Sequence, residues 1–180
     1  VFVYAKPYIE SADLAIGVFE GPMASETEGY SSSNYDDGKE LYLNFPDEYA
    51  DAVKNAGFDL VTNANNHLLD KGITGAKRTI DILDKKGINH TGSYKSPEEK
   101  ENKEVKIIEK DGLKFAVLSY TYGSNYYPRE ELAFGQNSYL TSVIYGTEGE
   151  EFEKMKSFVE EDFKKAKSYN PDFIIVLPHI

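Results

Sequence analysis

The sequence contains no cysteine and no tryptophan, only three histidines, and no apolar run long enough to span a membrane. The absence of cysteine excludes disulfides, thiolate metal sites and a cysteine nucleophile, and it leaves the redox compartment undecided. Basic residues are also scarce, because 20 Lys and Arg stand against 31 Asp and Glu, for a net charge of −11. A nucleic-acid backbone is therefore not expected as a partner. The acidic surface suits cation binding and plain solubility equally well.

The 180 residues are enough for one domain with a substantial core. The chain begins at Val1 rather than at a methionine, and it stops at Ile180 directly after an apolar run. No signal-peptide pattern is present in these residues. We therefore expect residues 1–180 to form a single domain that is truncated at both ends. On that expectation, a missing signal or anchor carries no information about location.

Apolar runs separated by amphipathic stretches are typical of an α/β fold. Nearly continuous apolar runs at 14–19, 58–62 and 173–177 predict strands that are buried in a parallel sheet. A shorter strand is expected at 88–92. An Asp-Gly turn at 111–112 predicts an antiparallel hairpin that adds the strands 105–109 and 114–120. The sequence therefore predicts a mixed, mainly parallel sheet that is flanked by helices.

Helical spacing of apolar residues predicts the flanking helices. They are expected at 1–9, at 46–55, at 73–86 and from about 152 to 169. One face of each of the last two should be buried, namely Ile73, Ile80 and Leu83, and Phe152, Met155, Val159 and Phe163. The remaining stretches predict polar loops at 23–39, 93–104 and 120–146, and a short strand at 40–45.

The most polar of the strand-end loops directly follows the apolar run at 58–62 and contains Asn63, Asn65, Asn66 and His67. In α/β proteins, ligands and catalytic groups collect at the carboxyl ends of strands. An amide oxygen beside an imidazole offers a hard metal ligand next to a proton carrier. A turn that is stabilised by asparagine side chains is the structural alternative.

Three of the predicted strands are preceded by an aspartate and followed by a potential metal or proton group. These groups are Glu20, the loop at 65–67, and His179. If the strands are parallel, the groups meet at one edge of the sheet. A carboxylate, an amide oxygen and an imidazole suit Mn²⁺, Fe or Zn²⁺. Each group alone has a structural explanation, and Glu20 is equally well explained as a solvated turn residue. The convergence is what predicts a divalent-metal site.

Two further features have structural alternatives. His90 lies near the same expected edge, where we expect it in a structural or outer-contact role. Tyr122, Tyr126 and Tyr127 lie close together in the loop at 120–146. They either stack on a sugar or peptide substrate or cover the edge of the core.

Two motifs carry a resemblance to a known family. Residues 11–22 (SADLAIGVFEGP) and 63–72 (NANNHLLDKG) resemble the N-F-E-G region and the A-N-N-H-x-x-D-x-G motif of the poly-gamma-glutamate capsule synthesis (CapA-like) family. Residues 111–118 and 174–179 are similar to later strands of that family, so the resemblance runs through nearly the whole chain. The family is similar to the calcineurin-like metallophosphoesterases. The resemblance therefore implies part of an αββα sandwich with a metal site at the strand ends, which would be dinuclear in the full-length protein.

Carried over to the matching positions, the resemblance implies that Glu20, Asn66 and His179 are metal ligands. It also implies that His67 is the catalytic proton donor to the leaving oxygen. The other polar residues of the motif region are expected to support these ligands or to contact substrate, namely Asn63, Asn65 and Asp70.

The chain departs from the family pattern at Val18, where the family usually has asparagine. The Gly-Asp motif that precedes this region in the superfamily and the Gly-His-x-His motif that follows it do not occur in residues 1–180. A dinuclear site is therefore not expected to be complete within these residues, and we expect them to bind metal weakly and to be catalytically poor.

The resemblance implies a role in capsule or poly-gamma-glutamate biosynthesis, as a metal-dependent hydrolase or transferase of a phosphoester or related bond. The expected partners are an anionic polymer or phosphoester substrate and other capsule-synthesis components. The parent protein is expected to be extracytoplasmic or membrane-associated. The alternative is a non-catalytic component that binds a polyanionic polymer through bridging cations.

Overall fold

The computed structural model describes residues 1–31 and 41–180. The helices are α1 (Lys6–Ser11), α2 (Glu48–Ala56), α3 (Gly72–Lys86), α4 (Pro97–Lys103), α5 (Arg129–Phe134) and α6 (Gly149–Ser168). The strands are β1 (Ile16–Val18), β2 (Leu60–Thr62), β3 (His90–Thr91), β4 (Lys106–Lys110), β5 (Leu113–Thr121) and β6 (Phe173–His179). None of the helices in these ranges combines the length and the apolar character that crossing a bilayer would require.

The strands divide between two three-stranded sheets. The first sheet has the order β1-β2-β3, and all of its strands are parallel. The second sheet has the order β4-β5-β6, with β4 antiparallel and β6 parallel to β5. The predicted α/β fold with parallel strands, one antiparallel hairpin and flanking helices is confirmed, although two sheets replace a single mixed one. This architecture is consistent with a metallophosphatase-like sandwich.

Close contacts join the two sheets. The hydroxyls of Thr62 on β2 and Ser119 on β5 are hydrogen-bonded across the interface. Gly92, directly after β3, has a φ of 89°, and a Cβ atom at this position would lie 2.7 Å from the Ala64 amide nitrogen and 2.9 Å from the Ser119 hydroxyl. Only glycine fits both the backbone conformation and the space. The loop that follows β2 is therefore held against the second sheet.

Apolar side chains cover the outer faces of the sheets. Helices α2 and α3 pack Val53 and Leu83 against Val61 of β2, and Phe19 and Met23 complete this cluster. On the second sheet, α6 places Met155 and Ala166 in buried positions, and Ala166 packs with residues of β5. These clusters fix the strands whose ends build the site.

The two predicted buried faces are only partly correct. Ile80, Leu83 and Met155 are buried as predicted. The other predicted positions are only half-buried, namely Ile73, Phe152, Val159 and Phe163. On α6, the half-buried Phe158 also packs on the second sheet, and a buried aspartate, Asp162, lies on the covered face.

Several local predictions differ from the structure. The helix expected at 1–9 begins only at Lys6, with Pro7 in its first turn. The loops expected at 93–104 and 120–146 contain α4 and α5. For α4, the Ser96 hydroxyl accepts a hydrogen bond from the Glu99 amide, and this capping pattern before Pro97 could have been recognised.

The strand predicted at 40–45 is wrong for residues 41–45, and its first residue, like residues 32–39 of the polar loop, lies outside the described ranges. Residues 41–45 instead cross the strand ends. The Phe45 amide donates to the Pro22 carbonyl, and the buried Asn44 side chain accepts from the Ala24 amide. These hydrogen bonds of residues 41–45 therefore go to loops rather than to a neighbouring strand.

Candidate metal centre

Asn65 shapes the loop between β2 and α3. This residue is buried, with only 1% of its surface exposed. Its NH₂ group donates to the carbonyls of Phe19, at 2.9 Å, and Asn63, at 3.0 Å. Its oxygen accepts from the His67 amide at 3.0 Å. Both donor hydrogens of Asn65 are thus used inside the protein. Asn65 ties the loop to the end of β1, and it supports the site rather than facing a substrate.

Asn63 is also buried, and its side-chain oxygen has no hydrogen-bond partner within the described residues. Its backbone N–H group donates to the carbonyl of Thr91 on β3. Asn63 therefore extends the pairing of β2 and β3 by one residue. It does not reach the exposed edge.

His67 and Asp70 form a close pair, with 2.6 Å between Nδ1 and Oδ2. The same Asp70 oxygen accepts from the Leu43 amide at 2.7 Å. Because this oxygen is an acceptor in both contacts, the proton of the pair belongs on Nδ1, which leaves Nε2 turned away from Asp70. Burial raises the pKa of Asp70, and the hydrogen bonds from Leu43 and His67 only partly offset this effect.

Glu20, Asn66 and His179 meet at the carboxyl edge of the strands. Asn66 Oδ1 lies 2.8 Å from His179 Nε2, and Glu20 Oε1 lies 3.7 Å from the same nitrogen. Glu20 follows β1, Asn66 follows β2 and His179 ends β6, so both sheets contribute. Glu20 is exposed, and the other two side chains are half-buried. The structure thus brings together the three residues that were assigned as ligands, although their metal-binding roles stay predictions.

Sequence reasoning missed Asn125, which joins this trio to the His67–Asp70 pair. Its side-chain oxygen accepts from Asn66 Nδ2 at 3.1 Å, and its own nitrogen lies 3.5 Å from His67 Nε2. The residue belongs to the loop after β5, a stretch without periodicity or a motif. The available signal was topological, because the carboxyl end of β5 lies beside that of β6.

A cleft of about 700 Å³ opens beside the site. Glu20, His67 and Val18 line it. Its other lining residues are mainly aromatic and aliphatic and include Tyr30, Leu41, Leu43, Phe45 and Tyr49. The described residues that line the cleft include no lysine or arginine. Among these described residues, His67 is the side chain that offers a bound anion a positive partner when it is protonated.

The donor set determines which cation would fit. Across residues 1–31 and 41–180, no three or more His, Cys, Asp or Glu side chains are grouped to hold a metal ion. The trio instead combines a carboxylate oxygen and an amide oxygen that lie 3.7 and 2.8 Å from the same imidazole nitrogen. Such donors fit a hard or borderline divalent cation. Because only Glu20 carries a charge, they suit one cation better than two.

His90 does not join the site. It lies on β3, where its Nε2 is 3.1 Å from an Asp84 oxygen of α3. Burial lowers the pKa of His90, and the contact with Asp84 partly offsets this effect. The histidine links a strand to a helix, as expected for a structural role.

The loop tyrosines make contacts within the protein. Tyr126 donates to the Leu41 carbonyl at 2.8 Å and stacks on Tyr42 with 3.9 Å between ring centroids. Tyr127 accepts from the Asn137 side chain at 2.7 Å. Tyr122 donates to the Asn125 side chain at 3.2 Å. These contacts favour the interpretation that the tyrosines support the edge of the core.

The fold and the site together define a class: an α/β protein whose polar side chains converge at the carboxyl ends of parallel strands. Comparison with known proteins narrows that class. The family described as bacterial capsule synthesis protein PGA_cap matches residues 1–180. The chain belongs to this family.

Named relatives agree with this assignment. The capsule biosynthesis protein CapA of Bacillus anthracis is 31% identical over 122 residues, which are 67% of this chain and 28% of the relative. The PGA biosynthesis protein CapA of Bacillus subtilis (strain 168) is 26% identical over 121 residues, which are 67% of this chain and 30% of the relative. The uncharacterized protein y4sH of Sinorhizobium fredii is 31% identical over 84 residues, covering 47% of this chain and 18% of the relative. The chain thus spans less than a third of the length of these relatives.

Proposed function

We propose that this chain carries a site for divalent-cation-dependent hydrolysis or transfer at a phosphoester or related bond, acting in the synthesis of a capsule polymer such as poly-gamma-glutamate. The observation that supports the proposal is that Asn66 Oδ1 and Glu20 Oε1 both approach His179 Nε2, at 2.8 and 3.7 Å, beside the His67–Asp70 pair. The family and the names of the relatives support the capsule role. On this proposal the parent protein works with other capsule-synthesis components outside the cytoplasm or at a membrane.

In this proposal, Glu20, Asn66 and His179 hold the cation. A divalent cation bound there supplies Lewis-acid polarisation of a phosphoryl oxygen and activation of a water molecule. The cation would also add positive charge to a cleft whose described lining contains no lysine or arginine. An anionic substrate is therefore expected to bind more tightly when the cation is present.

His67 moves the proton. Asp70 holds the imidazole by Nδ1, so Nε2 is the atom left to exchange a proton with the leaving oxygen. The Asp70 carboxylate also stabilises the positively charged imidazolium form. Because Asp70 is 5% exposed, little water competes for this contact. His67 thus acts as the general acid in our proposal, with Asp70 as its positioning residue.

Titration of the chain with Mn²⁺ by calorimetry, followed by an assay with bis(p-nitrophenyl) phosphate, tests this proposal. We expect weak binding of one Mn²⁺ and slow but detectable turnover. His179→Ala should weaken Mn²⁺ binding tenfold or more, since it removes a ligand. His67→Gln should leave binding unchanged and reduce turnover about 100-fold or more. His90→Gln is the matched control, because it alters a histidine outside the site. Equal loss of binding in His90→Gln and His179→Ala would contradict the ligand assignment.

A second candidate function is non-catalytic binding of a polyanionic capsule polymer through a bridging cation. The low charge of the donor set favours it, because one carboxylate leaves a bound divalent cation with positive charge to share. In this case poly-gamma-glutamate binds in the presence of Mn²⁺ and is released by EDTA, while the Mn²⁺-loaded chain turns over no phosphoester. Turnover that disappears in His67→Gln would exclude this alternative.

A further inference from the structure

We propose that Asn125 is a positioning residue that orients the Asn66 side chain, so that the Asn66 oxygen rather than its NH₂ group faces His179. This inference rests on the proposed function insofar as the trio holds a cation. An asparagine amide has two different ends, and only its oxygen is a ligand for a hard cation. A half-turn of the Asn66 amide would therefore remove one of three donors.

The contacts of Asn66 show which neighbours set its orientation. Its NH₂ group donates to Asn125 Oδ1 at 3.1 Å, and its oxygen lies 2.8 Å from His179 Nε2. The second contact requires a hydrogen on His179 Nε2. That nitrogen must instead offer its lone pair when it acts as a cation ligand. The contact with Asn125 is then the one that remains to define the orientation of Asn66.

Glu20 is the reason why the orientation of the Asn66 amide has to be fixed by another residue. Its carboxylate oxygen lies 3.7 Å from His179 Nε2, the nitrogen that the Asn66 oxygen also approaches, at 2.8 Å. A carboxylate attracts the NH₂ end of an amide, so the cation-free trio contains a competing partner for the wrong orientation. By accepting from the NH₂ group on the opposite side, Asn125 favours the orientation that presents the oxygen.

Asn125 is itself anchored. Its backbone amide donates to the Asn66 carbonyl at 3.0 Å. Its side-chain oxygen also accepts from the Tyr122 hydroxyl at 3.2 Å, and the Tyr122 ring packs against the Arg129 guanidinium at 5.4 Å. With its oxygen held by two donors, the NH₂ group of Asn125 faces His67 Nε2 at 3.5 Å. The exposed side chain thus links the ligand trio to the proton-transfer pair.

Three variants test the assignment. Asn125→Ala removes the acceptor, and Asn125→Asp keeps an acceptor oxygen of nearly the same shape. Asn102→Ala is the control, because Asn102 is an exposed asparagine on α4 that contacts only its own helix in the described residues. The first readout is the NMR signal of the Asn66 side-chain NH₂ in the metal-free chain. The second is the Mn²⁺ affinity measured by calorimetry, and thermal unfolding checks that each variant is folded.

We expect Asn125→Ala to shift the Asn66 NH₂ signals and to weaken Mn²⁺ binding about tenfold, the lower end of the usual effect of losing a contact to a metal ligand. Asn125→Asp should retain hydrogen-bonded NH₂ signals and bind Mn²⁺ at least as tightly as the unmodified chain. Asn102→Ala should change neither readout.

Two results would overturn the inference. One is an Asn125→Ala variant with unchanged Asn66 signals, and the other is an Asn125→Asp variant whose readouts change as much as those of Asn125→Ala. If the unmodified chain binds no Mn²⁺, the proposed cation site fails. The Asn66 signals in the metal-free chain then still decide the orienting role of Asn125, because they need no cation.

Discussion

Two buried carboxylates, Asp70 beside the site and Asp162 on α6, look alike by burial and differ in surroundings. Each is 5% exposed, and burial raises the pKa of each. Asp70 is paired with an imidazole that opens onto a cleft. Asp162 accepts from the Tyr120 hydroxyl at 2.8 Å inside the interface between α6 and β5. A perturbed buried acid therefore does not by itself mark a functional site, and the partner and the access to solvent make the difference.

The largest expected effect is on turnover in Asp70→Asn. This change keeps the shape of the side chain and removes the charge that stabilises the His67 imidazolium. On the proposed function, we expect kcat for bis(p-nitrophenyl) phosphate to fall about 100-fold or more, with Mn²⁺ affinity unchanged because Asp70 does not touch the ligand trio. Asp162→Asn is the matched control and should keep turnover within about twofold of the unmodified chain. Equal turnover in both variants would remove the distinction between the two carboxylates.

The next effect is a pH dependence of stability that originates at Asp162. Burial raises the pKa of Asp162 to about 6 from an ordinary value of 3.8, with a contribution from nearby Glu104 and opposing contributions from Tyr120, Lys100 and Lys165. Since the folded state holds the proton more tightly, the stabilisation that comes from protonated Asp162 is present below pH 4. It is lost as the pH rises through about 6.

Urea titrations of the unmodified chain and of Asp162→Asn between pH 4 and pH 8 measure this effect. The free energy of unfolding of the variant should gain on that of the unmodified chain by on the order of 2 kcal/mol as the pH rises from 4 to 7. Other carboxylates cancel in the difference between the two proteins. A difference in the free energy of unfolding that stays constant with pH would show that folding does not raise the pKa of Asp162.

These two carboxylates also show what the sequence could and could not reveal. Glu20, Asn66 and His179 were predictable as neighbours because each follows a parallel strand, and parallel strands end at a common edge. Asp162 was not predicted, because a charged residue of an amphipathic helix is usually assigned to the solvent face, although position 162 lies two helical turns after the buried Met155. Asn125 lies in a loop whose path depends on tertiary contacts. Residues 41–45 alternate like a strand, yet their amides bond to Asp70 and Pro22.

Replacement of Phe163 by alanine probes the apolar part of the α6 interface that surrounds Asp162. Because Phe163 is half-buried, we expect a loss of roughly 2 kcal/mol in the free energy of unfolding, below the 3–5 kcal/mol usual for a fully buried phenylalanine. The loss should be independent of pH in denaturant titrations, in contrast to the effect of Asp162→Asn. A loss of less than about 0.5 kcal/mol would mean that this face of α6 does not pack on the second sheet.

The smallest expected effect is that of Tyr120→Phe. This variant removes the hydroxyl that donates to Asp162 and leaves the ring in the core. We expect a loss of about 1 kcal/mol above pH 6, where the carboxylate is charged and needs the donor. In combination with Asp162→Asn, the loss should become smaller, since the hydroxyl then meets a neutral acceptor. Strictly additive losses in this double-mutant cycle would contradict a direct interaction between the two groups.

The central claim is that Glu20, Asn66 and His179 together hold a divalent cation beside His67. Diffraction from crystals soaked in Mn²⁺, recorded near the manganese absorption edge, tests it most directly. We expect one anomalous peak at roughly 2.0–2.3 Å from Glu20 Oε1, Asn66 Oδ1 and His179 Nε2. The absence of a peak at saturating Mn²⁺, or a peak that none of these three atoms contacts, would contradict the claim.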